Sequence, residues 1–156
     1  MKQLLLVSWL LLLSAILGLP EVKADVRMPL IFGNHMVLQQ DTRITIWGWA
    51  DAGENIEVLF AGQKVRTTAN ADGTWQVKLK PVKTKKKGET LTITGKNKLV
   101  YSDVLVGDVW VASGQSNMEW GIKVRKEYAD DIAHSEDSLL RLFFVPKNTS
   151  LQPLSE

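Results

Sequence analysis

Val104-Leu105-Val106-Gly107-Asp108-Val109-Trp110-Val111-Ala112 is the stretch on which the fold turns. Only Gly107 and Asp108 interrupt its apolar side chains, and a run of that kind reads as a strand buried on both faces, as in a parallel sheet. Parallel sheets are covered by helices, and the residues downstream carry such a pattern. Tyr128, Ala129, Ile132 and Ala133 recur at helical spacing, and Leu139 to Val145 is a second apolar run suited to another buried strand. Strand, turn, helix and strand make the opening of a βαβ unit. One unit cannot cover its own sheet. The expectation is therefore an incomplete α/β domain over residues 104–156: either the chain is a fragment of a longer one, or its C-terminal third is poorly ordered.

Upstream the period is two. Ile44, Ile46 and Gly48 alternate with Thr45, Trp47 and Trp49, which predicts a strand with one aliphatic and one aromatic face, both covered. Ile56 to Phe60 and Lys64 to Thr68 flank Ala61-Gly62-Gln63, a hairpin in which Gly62 takes positive φ. The turn Asn70-Ala71-Asp72-Gly73 launches Trp75, Val77 and Leu79 on one face against Gln76 and Lys78 on the other. Leu91, Ile93 and Leu99 to Tyr101 supply further strands, and the turn spacing predicts a β-sandwich over residues 25–103. Trp47, Trp49 and Trp75 are expected to fill its core; were they exposed, they would be stacking surfaces for sugar rings.

The start of the chain is of another kind. Met1-Lys2 is basic, Leu4 to Leu19 is almost wholly apolar, and Gly18 and Pro20 end it. Val22 and Ala24 stand where a signal peptidase reads, so residues 1–24 are expected to be a leader cleaved before Asp25. An uncleaved anchor is the weighed alternative. The expectation is an exported protein, periplasmic or secreted, with no stable membrane association after cleavage. The chain contains no cysteine, which excludes a disulfide framework, a thiolate metal site and a lipid-modified cysteine. A formal net charge of +2 gives no electrostatic case for a nucleic-acid partner. The run Lys83-Thr84-Lys85-Lys86-Lys87-Gly88 reads as a solvated connection.

Chemistry concentrates in Ser113-Gly114-Gln115-Ser116-Asn117-Met118. After a buried strand, this position brings the Ser116 hydroxyl to the C-terminal edge of the sheet, the ligand side of an open α/β fold. Backbone N–H groups at the start of the next segment would face the same spot and stabilise an oxyanion. Gly114 lets the chain turn without a Cβ. A serine alone is weakly nucleophilic and needs a base, normally a histidine held by an acid. The bland alternative is that Ser116 and Asn117 only cap a helix.

Asp108 to Met118 resembles the first conserved block of the sialate O-acetylesterase family, whose hydrolase domain belongs to the SGNH class of serine esterases. Asn34 to Gln40, Trp47 to Ala50 with Gly53-Glu54, Asp72 to Trp75 and Leu140 to Val145 resemble further blocks of that family's N-terminal half, in the same order. The resemblance implies a β-sandwich accessory domain over 25–103 and the N-terminal part of an SGNH-type hydrolase domain over 104–156. It implies that Ser116 is the nucleophile and its backbone N–H an oxyanion donor, with Gly114, Gln115 and Asn117 supporting the turn. The implied partner is an acetylated carbohydrate, above all an O-acetylated sialic acid, with no metal and no organic cofactor. The family's histidine and aspartate lie far downstream, so this chain alone is expected to be inactive.

Asp131-Ile132-Ala133-His134 supplies the letters of an acid and a base, but on a covering helix the two share an outer face and do not reach the sheet edge. A surface contact is the better reading. His35 is assigned to packing or a turn, and Glu119 to a first-turn acid. Asn148-Thr149-Ser150 is a glycosylation sequon by pattern. Two rival functions stay open: an acetylesterase acting on plant cell-wall polysaccharide, and a secreted, non-catalytic carbohydrate-binding module.

Overall fold

The computed structural model describes residues 25–121, 126–147 and 149–152. The leader expected over residues 1–24, the side chain of Glu119 and the sequon's Asn148 lie outside the described residues. The fold is mostly sheet with little helix. Seven strands are described: β1 (Val37–Gln39), β2 (Ile44–Trp49), β3 (Asn55–Phe60), β4 (Gln63–Thr68), β5 (Thr74–Leu79), β6 (Lys85–Thr94) and β7 (Lys98–Gly107). They form a five-stranded sheet in the order β1-β7-β6-β3-β4 and a two-stranded sheet of β2 and β5.

The period-two segments become strands for the reason their pattern suggests. Ile44 and Ile46 of β2 and Trp75, Val77 and Leu79 of β5 are buried on one face. They pack into one core with Ile56, Val58, Phe60, Leu91, Ile93, Val104 and Val106 from the larger sheet. The β3–β4 hairpin pairs Phe60 with Gln63 around Ala61-Gly62. Both turn residues have positive φ, 49° and 75°, the requirement of a two-residue turn whose twist matches the strands. At the Asn70–Gly73 turn, Gly73 adopts φ 78° and Asp72 Oδ1 accepts from the Thr74 N–H and hydroxyl. These two bonds, the hydroxyl's first, hold the Asp72 carboxyl below its ordinary pKa. Glu54 is buried, with Oε1 accepting the Lys96 N–H at 2.6 Å and Oε2 the Asp51 N–H at 3.1 Å, so one carboxylate joins two turns.

The larger sheet curls into a half-barrel. Its register shifts twice between β6 and β7, around Glu89, the mark of bulges that bend and twist a strand. Asp103 sits there with φ 52°, and a Cβ placed on Gly88 would come within 2.7 Å of the Asp103 Cα. Only glycine admits this approach of the two backbones.

The aromatic face of β2 departs from expectation. Trp75 fills the core, at 2% exposure, but Trp47 and Trp49 stand on the opposite face of the small sheet. Trp47 lies edge-on between Phe32 and Trp49, with ring centroids 6.2 and 5.7 Å away, and remains 40% exposed. The pleat decides this: Ile44 and Ile46 take the core side, so the residues between them must face outward.

The reading of Val104–Ala112 as one buried strand is corrected. Val104 to Val106 are buried on both faces, and they do have a parallel neighbour, but it is β1: Val37 pairs with Leu105 and Gln39 with Gly107. These residues close the β-rich region, so a division at residue 104 would cut through β7. Beyond Gly107 no strand forms among the described residues, and Trp110 and Val111 are 85% and 91% exposed. Leu139 to Val145 forms no strand either, with Leu142 and Phe144 largely in solvent. The helical spacing yields a 3₁₀ turn at Lys126–Tyr128 and the short helix α1 (Ala129–Ala133), with no residue buried. Among the described residues, no βαβ unit forms. An extended run without a partner edge has nowhere to direct its backbone hydrogen bonds, and five helical residues are too few to stand without packing.

Candidate active site

The route to Ser116 begins where β1 and β7 end together. Gln40 N–H donates to Gly107 O at 2.9 Å, and the Gln39 side-chain oxygen accepts the Val109 N–H at 2.8 Å. The Gln40 side-chain amide donates to Asp108 Oδ1 at 3.1 Å, while its oxygen accepts the Thr84 N–H at 3.2 Å. Two glutamine side chains thus extend the parallel ladder past the last paired residue and hold the direction in which the chain leaves.

Gln115 is extended, with φ −92° and ψ −165°, and a 3₁₀ turn follows over Ser116–Glu119. Met118 N–H donates to Gln115 O at 2.9 Å. No side chain caps this turn, so the alternative of Ser116 and Asn117 as simple helix caps is not realised. A Cβ on Gly114 would meet Met118 Cγ at 2.5 Å, so glycine here serves the close approach of the Met118 side chain. Gly114, Gln115, Ser116 and Asn117 are all exposed.

Neither histidine serves Ser116 among the described residues. His134 ends α1 and its Nδ1 lies 2.8 Å from Asp130 O, leaving Asp131 without a bond to it. His35, at φ 65°, pairs through Nδ1 with Asp103 Oδ2 at 2.7 Å. The same oxygen receives Arg141 Nη2 at 3.0 Å. The His35 hydrogen bond, and then that from Arg141, hold the Asp103 carboxyl below its ordinary pKa. The sequence assigns His35 to packing or a turn; the structure places it in a turn and adds a hydrogen-bonded contact with Asp103 that no local pattern shows. Among the described residues, no group of three or more histidine, aspartate or glutamate side chains is placed to hold a metal ion.

Over 139 residues the chain is 34% identical to the sialate O-acetylesterase of Rattus norvegicus, a match covering 79% of this chain and 25% of the relative. It is 33% identical to the Mus musculus sialate O-acetylesterase, with 79% and 26% covered, and 30% identical to the Homo sapiens enzyme, with 78% and 26% covered. Among solved structures, a carbohydrate acetylesterase from Xanthomonas citri superposes with a TM-score of 0.77 at 37% identity, over 83% of this chain and 30% of that one. This is a sialate O-acetylesterase-like chain. It spans about a quarter of the length of the curated relatives it matches. No protein-family model matches it.

Within this sialate O-acetylesterase-like chain, Gln39, Gln40 and Arg141 belong to stretches that carry the resemblance, yet no spacing rule singles them out. Asp103 lies outside those stretches. Its role depends on partners distant in sequence, and no local pattern announces it.

Proposed function

We propose that this chain is the serine-bearing portion of an exported carbohydrate O-acetylesterase acting on O-acetylated sialic acids. In this reading the β-rich region, through Gly107, is a β-sandwich accessory domain, and the residues after it open an SGNH-type α/β hydrolase domain. The exposed apolar runs at Val109–Val111 and Leu139–Val145 are then surfaces of that domain's core. The observation that carries the reading is the 37% identity and TM-score of 0.77 to a carbohydrate acetylesterase over most of the chain. The names of the curated relatives favour sialic acid as the sugar.

The chemistry follows from acyl transfer. Ser116 Oγ attacks the acetyl carbonyl carbon while a base takes its proton, and the Ser116 N–H stabilises the oxyanion. The intermediate collapses to an acetyl-serine as the sugar oxygen leaves with a proton. Water then attacks the acetyl-serine and releases acetate. Among the described residues no base stands beside Ser116, so residues 25–156 alone are proposed to lack turnover. Gly114, Gln115 and Asn117 shape the turn that presents the hydroxyl.

A chimera tests this. Residues 25–152 replace the matched portion of the Xanthomonas citri acetylesterase, and acetate release from an acetylated sialic acid and an acetylated xylan is compared. The expected result is activity that Ser116→Ala lowers by about 10³-fold or more. An active chimera unaffected by Ser116→Ala would remove Ser116 from the mechanism, and preference for xylan would favour cell-wall polysaccharide. For the β-rich region, a non-catalytic glycan-binding role has one observation behind it among the described residues, the exposed ring of Trp47. Glycan binding that Trp47→Ala abolishes would support that role. Trp75 cannot report on it, because the ring is buried.

A further inference from the structure

Leu139 to Val145 is an exposed apolar run with one exception: Arg141 is half-buried, its side chain 25% accessible, and it turns back onto the β-rich region. There it meets Asp103 Oδ2 at 3.0 Å, the oxygen already paired with His35 at 2.7 Å. The second attachment of the same segment lies at its other end, where Gln39 accepts the Val109 N–H. The first attachment is to Asp103 of β7 and the second to Gln39 of β1, which pairs with Gly107 of β7. Asp103 and Gly107 are four positions apart on one strand, at most roughly 13 Å. The described residues between Val109 and Leu140, Ser116 among them, therefore belong to a segment whose two feet stand close together on β7 and its neighbour β1.

We infer that Asp103, held by His35 and receiving Arg141, is a positioning residue that clamps the return of the Ser116-bearing segment onto the β-rich region. The β-rich region then sets where Ser116 stands, an inference that rests on the reading of Ser116 as nucleophile only for its catalytic consequence. Asp103 suits the task. It occupies the left-handed region, which aspartate tolerates better than most residues, at the bulge where Gly88 clears space for it. Ion pairs this accessible contribute little to stability. Their consequence here is geometric, because a single charge-assisted bond selects one course for a run of side chains that otherwise touches little.

The absence of cysteine permits a direct measurement. Cysteines introduced at Val100 and Phe144, both exposed, take a pair of spin labels whose separation is read by pulsed electron resonance in the full chain. A single narrow distance distribution is expected, widening roughly twofold in Asp103→Asn and Arg141→Gln. Arg141→Lys should keep it narrow, since only one nitrogen of the guanidinium engages Asp103 and an ammonium can replace it. Arg141 lies outside the β core, so its variants stay informative even if Asp103→Asn fails to fold. A broad distribution without any clamp substitution, or a narrow one unchanged by Arg141→Gln, overturns the inference. The readout needs no catalysis. An inactive chimera would count against the proposed function while leaving the distance result intact.

Discussion

Replacing Val104 by alanine removes two methyl groups from a side chain with no solvent exposure in the core shared by the two sheets. At about 0.8 kcal/mol for each buried carbon, the transfer loss is about 1.6 kcal/mol. The cavity left behind raises the expected cost to about 2–2.5 kcal/mol, because β6 and the facing strands can close it only in part. Val111→Ala deletes the same two methyl groups from the same apolar stretch, yet Val111 is 91% exposed, and the expected change is within about 0.5 kcal/mol. Urea unfolding followed by tryptophan fluorescence, with the buried Trp75 as reporter, measures both. For a region of this size the first substitution should also lower the melting temperature by roughly 10 °C or more, and the second by almost nothing. Equal destabilisation by the two would refute the reasoning. It would mean that Val109–Val111 is packed as part of the same cooperative unit and that the fold does not change character at Gly107.

Two further outcomes follow from the same geometry. Gly48→Ala drives a Cβ into the Arg27 carbonyl oxygen, where Arg27 and Trp49 exchange backbone hydrogen bonds at 2.8 and 2.9 Å; a loss of roughly 2–4 kcal/mol is expected in urea unfolding, and a variant as stable as the parent would contradict the close approach. The Asp103 carboxyl is depressed in the folded state, first by His35 and then by Arg141, so its contribution is complete above the ordinary value of 3.8 and lost as pH falls below that through the folded value. The difference in urea midpoint between the parent and Asp103→Asn should therefore be small, as accessible pairs dictate, yet hold at pH 6 and shrink only below about pH 3.8; a difference independent of pH would assign the effect to shape rather than charge.

Much of the β-rich region was legible because its signals are local. Alternation at Ile44–Trp49 and Thr74–Leu79 is a property of neighbouring residues, and Ala61-Gly62 carries its own turn chemistry. The outward position of Trp47 was harder to read, since alternation separates two faces without saying which one meets the core; the choice fell to Ile44 and Ile46. Val109–Val111 and Leu139–Val145 misled for a different reason. Composition records a segment's demand for burial, and the described residues offer these segments no surface that meets it. The turn around Ser116 could be located from Gly114 and the preceding apolar run, but not its supports. Gln39 reaches Val109, and Asp103 reaches both His35 and Arg141, through contacts between residues far apart in sequence, which no window along the chain can contain.

The parallel pairing of β1 with β7 also has a kinetic side. β2 meets β5, and β3 meets β4 and β6, through connections made within the β-rich region, whereas Val37 must wait for Leu105. Among the described strands β1 pairs with β7 alone, so during synthesis it has no ladder partner until nearly the whole region has been made, and the entropy of joining its two ends is lost before any ladder bond repays it. The seam between β1 and β7 is thus expected to close late, and with it the glutamine grip on Val109. The serine turn would then acquire its bearing only once the region beneath it is already folded.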